Sequence, residues 1–212
     1  MAKRISILGS TGSIGSQALE VISAFPEKVE VVALAAGNNI EKLAEQAKKF
    51  RPSLVSIRDH QKIPQLQELI GDLSCQILAG EEGLLAVATH SQAQLVLSSL
   101  VGIAGLPPTL AALEAGRDVA LANKESLVTG GQLVRDAQMR GGGMLLPVDS
   151  EHSALFQAID GREREVEKLV LTASGGPFRN ATKADLAKVT VADALNHPNW
   201  QMGAKVTVDS AT

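Results

Sequence analysis

Arg4-Ile5-Ser6-Ile7-Leu8-Gly9-Ser10-Thr11-Gly12-Ser13-Ile14-Gly15 is the stretch whose reading decides the fold. Five residues of a short, mostly apolar strand run directly into three glycines spaced G-x-x-G-x-x-G. Ile14, Ala18, Val21, Ile22 and Phe25 then recur at helical spacing. A strand, a glycine turn and a helix in that order form the context of a dinucleotide-binding turn. Glycines let the backbone approach a pyrophosphate, and the helix N-terminus offers free N–H groups and a positive dipole end. The hydroxyls of Ser10, Thr11 and Ser13 add donors. The spacing differs from G-x-G-x-x-G, so its strand–helix context carries the assignment.

Outward from this turn, strand and helix signals alternate, which predicts βαβ units. Strands are expected at 4–8, 29–35, 54–57, 75–79, 94–99, 118–122 and 144–148. Helices are expected from Ile40 to Phe50, around 64–71, from Pro107 to Gly116 and from Glu125 to Arg140, the last stopped by Gly141-Gly142-Gly143. Right-handed crossovers then give a doubly wound parallel sheet, a Rossmann-like α/β domain over residues 1–148. The pattern changes after Asp149. A helix at 152–159, a solvated charged turn at 161–165 and a strand at 167–173 are expected, followed by helix caps at Thr182-x-x-Asp185 and Thr190-x-x-Asp193. Val206 to Thr212 reads as a strand entering a loop. Residues 149–212 are therefore read as an incomplete α+β catalytic domain.

Composition narrows the classes. The 212 residues are 45% hydrophobic but contain four Phe, one Trp and no Tyr, so the core rests on aliphatic side chains, as parallel sheets do. A net charge of −3 gives no basic face for a nucleic acid. No apolar run approaches the ~20 residues of a membrane span. Lys3 and Arg4 lead straight into the first strand and leave no room for a signal segment, so a cytoplasmic location is expected. The single cysteine, Cys75, has no partner for an intrachain disulfide and reads as a small hydrophobe.

Two features bear on chemistry. The second strand ends in Ala36-Gly37-Asn38-Asn39, with no carboxylate where an NAD site usually puts one for the ribose 2′-hydroxyl, which leans towards NADP. No Arg or Lys lies in that turn to hold a 2′-phosphate. The second feature is Leu146-Pro147-Val148-Asp149-Ser150-Glu151-His152, where two carboxylates flank one residue at the end of a strand. Acids so close repel unless something positive lies between them, and hard oxygen ligands suit Mg²⁺ or Mn²⁺. Asn123-Lys124-Glu125 tops the preceding strand and could face the same cleft. Ser174-Gly175-Gly176 offers a nest of N–H groups for an anion such as phosphate, and His197-Pro198-Asn199-Trp200 holds the only Trp.

Taken together, Gly9–Gly15, Leu121-Ala-Asn-Lys-Glu-Ser-Leu127, Pro147-Val-Asp-Ser-Glu-His152, Ser174-Gly-Gly-Pro-Phe178, His197-Pro-Asn-Trp200 and Val208-Asp-Ser-Ala-Thr212 resemble the 1-deoxy-D-xylulose 5-phosphate reductoisomerase family, in the family's order. The resemblance covers the whole chain. It implies NADPH binding by Thr11, Gly12, Ser13, Ile14, Gly37, Asn38, Asn39, Asn123, Glu125 and Gly203. It implies Asp149 and Glu151 as two of three protein ligands to Mg²⁺ or Mn²⁺, with Lys124, Asp149, Glu151 and His197 as the catalytic set. Lys124, Ser150, Glu151, Ser174, His197 and Ser210 are implied substrate contacts, Ser174 and Ser210 near the phosphate. Trp200 and Met202 lie in a segment that resembles the family's flap.

The implied reaction is the metal-assisted rearrangement and NADPH-dependent reduction of 1-deoxy-D-xylulose 5-phosphate to 2-C-methyl-D-erythritol 4-phosphate, by a homodimer. Two departures from the family are expected to matter. Asn38 stands where relatives often carry Lys, Arg or Ser. The segment carrying the third metal carboxylate and the helical C-terminal domain are not in this sequence, so the chain reads as an N-terminal fragment. The competing reading is a standalone NADP-binding module without turnover. A different Rossmann dehydrogenase would need substrate-domain motifs that are absent.

Overall fold

The computed structural model describes residues 2–172 and 175–198. By its internal contacts the chain divides into two compact units between Gln157 and Ala158. The first holds seven strands: β1 (Lys3–Leu8), β2 (Val29–Ala35), β3 (Leu54–Ile57), β4 (Gln76–Ala79), β5 (Leu95–Ser98), β6 (Asp118–Leu121) and β7 (Leu145–Pro147). All seven pair in parallel, in the order β4-β3-β2-β1-β5-β6-β7. The strand order reverses between β1 and β5. That switch point opens a crevice beyond the carboxyl ends of the strands, where sheets of this kind bind ligands.

Six helices cover the sheet. The layer of α1 (Ser13–Ala24), α2 (Ile40–Phe50) and α3 (Ile63–Ile70) packs Leu19, Ile22, Leu43, Ala47 and Leu66 onto Ile7, Leu34, Val55 and Ile57. On the opposite face α4 (Gly80–Ala88), α5 (Leu106–Glu114) and α6 (Glu125–Gly141) pack Val87, Leu113 and Val134 onto Leu8, Ala33, Leu54 and Val119. The two sets of strand residues alternate along the chain: Ile57 and Val55 face one layer and Leu54 the other. A sheet buried on both faces needs this near-continuous aliphatic run, which explains the shortage of aromatics.

The seven strands expected between residues 4 and 148 all form, with ends shifted by a residue or two. Helix α4 was not expected. Its sequence, Gly80-Glu-Glu-Gly-Leu-Leu-Ala-Val-Ala88, hides the helical period because the run Leu84–Ala88 is apolar on every side. Close packing gives the reason: a Cβ on Gly83 would sit 2.4 Å from the Ser56 hydroxyl, so the helix lies almost against β3. Helix α6 ends as expected, at Gly142 in the left-handed region (φ 78°).

In the chain after β7, α7 runs from Ser150 to Ile159. The expected caps at Thr182 and Thr190 are present as reciprocal capping boxes, starting the short helices α8 (Lys183–Leu186) and α9 (Val191–Ala194). The strand expected at 167–173 is corrected by the structure. Residues 166–172 are in no regular element, and Leu169, Val170 and Leu171 are more than half exposed. A strand exists only as one side of a ladder, and no partner segment lies beside them among the described residues. The strand expected at Val206–Thr212 falls outside the described residues.

Candidate functional site

The glycine turn is built for close approach. Gly9 takes φ +83°, and a Cβ there would lie 2.8 Å from the Ser99 carbonyl oxygen. A Cβ on Gly15 would lie 2.4 Å from the Gly9 carbonyl oxygen, so helix α1 can begin directly against the turn only with glycine at that position. The N–H groups of Gly9 and Ser10 both donate to the Ala35 carbonyl at 2.9 Å, locking the turn to the end of β2. Gln46, buried on α2, donates to the Ser10 carbonyl at 2.9 Å. No side chain caps α1, whose first turn is exposed at Ser13 and Ile14. Its N–H groups therefore remain open to an anion, as a pyrophosphate site requires.

Beside this turn lies a cleft of about 580 Å³, lined by Ala36, Gly37, Arg58 and Glu81 on one side and by Leu100, Val101 and Pro107 on the other. The Asn39 side chain accepts from the Lys42 N–H and caps α2. The structure thus brings Thr11–Ile14 and Gly37–Asn39 to one edge of the sheet, tied together by the Lys42 ammonium, which donates to the Thr11 carbonyl at 3.2 Å. Sequence reading missed Arg58. A charged residue directly after the apolar strand Leu54–Ile57 was the signal that could have found it.

Asn123 knits the far wall. Fully buried, its amide donates to the carbonyls of Leu100 (2.9 Å) and Gly102 (2.8 Å) and to the Glu125 carboxylate (3.2 Å), while its oxygen accepts from the N–H and hydroxyl of Ser126. One side chain therefore fixes the loop after β5 and the start of α6. Its neighbour Lys124 points the other way, into solvent, and its ammonium donates to Asp149 at 2.7 Å. The His152 ring donates to the other oxygen of Asp149 at 2.9 Å, and the Ser150 hydroxyl donates to Glu151 at 2.5 Å.

Partial burial works to raise the Asp149 carboxyl. The hydrogen bonds and charges of Lys124 and His152 together outweigh it and hold the group below the usual carboxylate range. For Lys124 the hydrogen bond to Asp149 is the main influence. With the charges of Asp149, Glu151 and Glu125 it raises the ammonium against partial burial. Asp149 is therefore an anion and Lys124 a cation across the neutral range.

Two carboxylates two residues apart, with one already drawing two donors, fit a hard divalent cation as part of its ligand set. Among the described residues, no group of three or more His, Cys, Asp and Glu side chains is arranged to hold a metal. His197 is buried in the second unit. Gly175 takes φ +67°, and the Arg179 N–H donates to the Gly176 carbonyl in the turn that follows. Ser174, Trp200, Met202, Gly203 and Ser210 lie outside the described residues.

A doubly wound parallel sheet with an uncapped helix behind a glycine turn defines a Rossmann-like, dinucleotide-binding class of α/β protein. Comparison with known proteins is more specific. Residues 5–131 match the family model described as 1-deoxy-D-xylulose 5-phosphate reductoisomerase, and residues 145–212 match that of its C-terminal domain. The chain belongs to the 1-deoxy-D-xylulose 5-phosphate reductoisomerase family.

The reductoisomerase of Chloroherpeton thalassium is 54% identical over 211 residues, a match covering 99% of this chain and 54% of that protein. That of Symbiobacterium thermophilum is 55% identical, covering 100% and 56%. The Zymomonas mobilis enzyme, solved in complex with NADPH, is 40% identical with a TM-score of 0.89, over 100% of this chain and 54% of that one. A reductoisomerase solved with NADPH, fosmidomycin and magnesium is 38% identical with a TM-score of 0.85, over 99% and 54%. The chain spans about half the length of these relatives. No helix among the described residues is long and apolar enough to cross a membrane.

Proposed function

We propose that this chain carries the NADPH site and part of the metal and substrate site of a reductoisomerase that converts 1-deoxy-D-xylulose 5-phosphate to 2-C-methyl-D-erythritol 4-phosphate. The observation that carries the reading is the Lys124–Asp149 contact on the sheet edge that also holds the glycine turn, in a chain of this family. When bound, NADPH supplies the hydride and a divalent Mg²⁺ or Mn²⁺ ion supplies Lewis acidity.

The protein's own contributions follow from its residues. The α1 N-terminus and the backbone of Thr11–Ile14 hold the pyrophosphate, and Gly37–Asn39 border the adenosine ribose. Asn123 shapes the crevice wall, and Glu125 sits beside it on the same amide. Asp149 and Glu151 hold the cation. Lys124, released from Asp149 when a cation binds there, is free to orient an oxygen of the substrate. Ser150, Ser174, His197 and Ser210 complete the reading as substrate contacts, with Ser174 and Ser210 assigned to the phosphate. Binding energy at a phosphate remote from the reacting carbons positions the substrate for the chemistry.

A second reading, cofactor binding without turnover, is favoured by the lack of a three-ligand metal group among the described residues. NADPH oxidation by the chain with Mn²⁺ and 1-deoxy-D-xylulose 5-phosphate separates the two. Substrate-dependent oxidation supports the full reaction. NADPH binding with no oxidation leaves the cofactor module, and no NADPH binding removes both.

A further inference from the structure

The turn Gly37-Asn38-Asn39 has no cation of its own, but the fold surrounds it with three. The Arg58 N–H donates to the Gly37 carbonyl at 3.1 Å, extending the pairing of β2 and β3 one step past the strands. This places Arg58 beside Gly37 on the lining of the cleft. The Lys62 ammonium, from the short 3-10 turn His60–Lys62, donates to the Asn38 carbonyl at 3.2 Å. Lys42 reaches across to the Thr11 carbonyl from the other side. The two lysines rest on neutral carbonyl oxygens, so their charges are not cancelled.

The Arg58 side chain is exposed and makes no hydrogen bond or ion pair among the described residues. Nearby acids do not consume these charges. Asp59 accepts from the Gln61 N–H at 2.9 Å, and Glu41 and Glu81 form no ion pair among the described residues. An uncommitted guanidinium at the end of β3, beside a β2 turn that lacks a carboxylate, is placed to fork onto a phosphate at the ribose 2′ position.

We propose that Arg58, assisted by Lys62, is the group that selects NADPH over NADH in this chain, taking over the cationic role that the Gly37–Asn39 turn leaves vacant. The inference rests on the NADPH reading above. The two are separable by titrating the intrinsic fluorescence of NADPH and of NADH with the chain and with its Arg58→Gln, Arg58→Lys and Lys62→Gln variants. The expected result is a loss of NADPH affinity of roughly ten- to a hundredfold in Arg58→Gln, with NADH affinity unchanged. Arg58→Lys should recover part of the loss, and Lys62→Gln should show a smaller one of the same kind.

Arg58 is exposed, and unchanged NADH binding doubles as the control for folding. Equal losses for both cofactors, or unaltered NADPH preference in Arg58→Gln, overturn the assignment while leaving NADPH binding intact. Failure of the unaltered chain to bind either cofactor overturns the dinucleotide reading and this inference with it.

Discussion

The ammonium of Lys124 lies 2.7 Å from the carboxylate of Asp149, joining the residue three beyond β6 to the residue two beyond β7. Neighbouring parallel strands place their carboxyl ends side by side, so two residues far apart in sequence meet at one edge. The pair is partly exposed, and exposed ion pairs add little to stability. Its significance lies in pre-positioning: a cation already occupies the place where a second, divalent one is proposed to bind.

Replacing Asp149 by Asn should therefore weaken Mn²⁺ binding by roughly a hundredfold or more while leaving NADPH affinity nearly unchanged. Electron paramagnetic resonance of free Mn²⁺, alongside NADPH fluorescence, measures both. Unchanged Mn²⁺ affinity would remove Asp149 from the metal site.

Gly15→Ala tests the close start of α1. A methyl group 2.4 Å from the Gly9 carbonyl forces the turn away from the helix. The expected cost is about 1–3 kcal/mol, read from urea unfolding, with NADPH binding lost in the fraction that still folds. A variant that keeps both stability and cofactor affinity would show that the turn tolerates a looser geometry.

Asn123→Ala leaves the carbonyls of Leu100 and Gly102 without their buried donor. About 2–4 kcal/mol of stability should be lost, with hydrogen exchange speeding up first in the loop at 100–105 and the first turn of α6. A uniform rise in exchange across the sheet would instead mean that Asn123 acts on global stability alone.

Among the described residues, three carboxyls titrate low. Hydrogen bonds from Thr182 and Thr190 hold Asp185 and Asp193 below the usual range, and Lys124 and His152 do so for Asp149 against its burial. A folded value below the unfolded one, ~3.9 for Asp, contributes stability that is complete above the unfolded value and is lost as pH falls through the folded one. Carboxyl NMR titration should show all three midpoints below ~3.9. Thr182→Ala should return Asp185 towards that value without moving Asp149.

Burial pushes the Cys75 thiol up to about 11, against a weaker lowering by the Val55 backbone. The thiolate is the reactive form, so Cys75 should react with a disulfide reagent at pH 8 far more slowly than in the urea-unfolded chain. Equal rates would mean that the β3–β4 edge opens readily.

Local pattern made most of the fold legible. The strand Arg4–Leu8, the spacing of Gly9, Gly12 and Gly15, and the aliphatic runs of seven strands are properties of short segments, and they determine a doubly wound sheet. The capping pairs Thr182–Asp185 and Thr190–Asp193 are equally local: each side chain bonds backbone three residues away, so sequence alone shows them. Where a feature depends on two distant segments, the sequence is silent or misleading.

Helix α4 hides its period because both β3 and α5 bury it. Residues 167–173 carry strand-forming side chains, yet a strand needs a partner ladder that local pattern cannot provide. The Gly37–Asn39 turn contains no cation, and only the packing of β3 against β2 brings Arg58 to it. The sequence by itself determined most of the elements and the identity of the chemical groups. Tertiary structure alone decided which groups share an edge, because hydrogen-bonded strand register, rather than chain proximity, sets the distances between Lys124 and Asp149 and between Gly37 and Arg58.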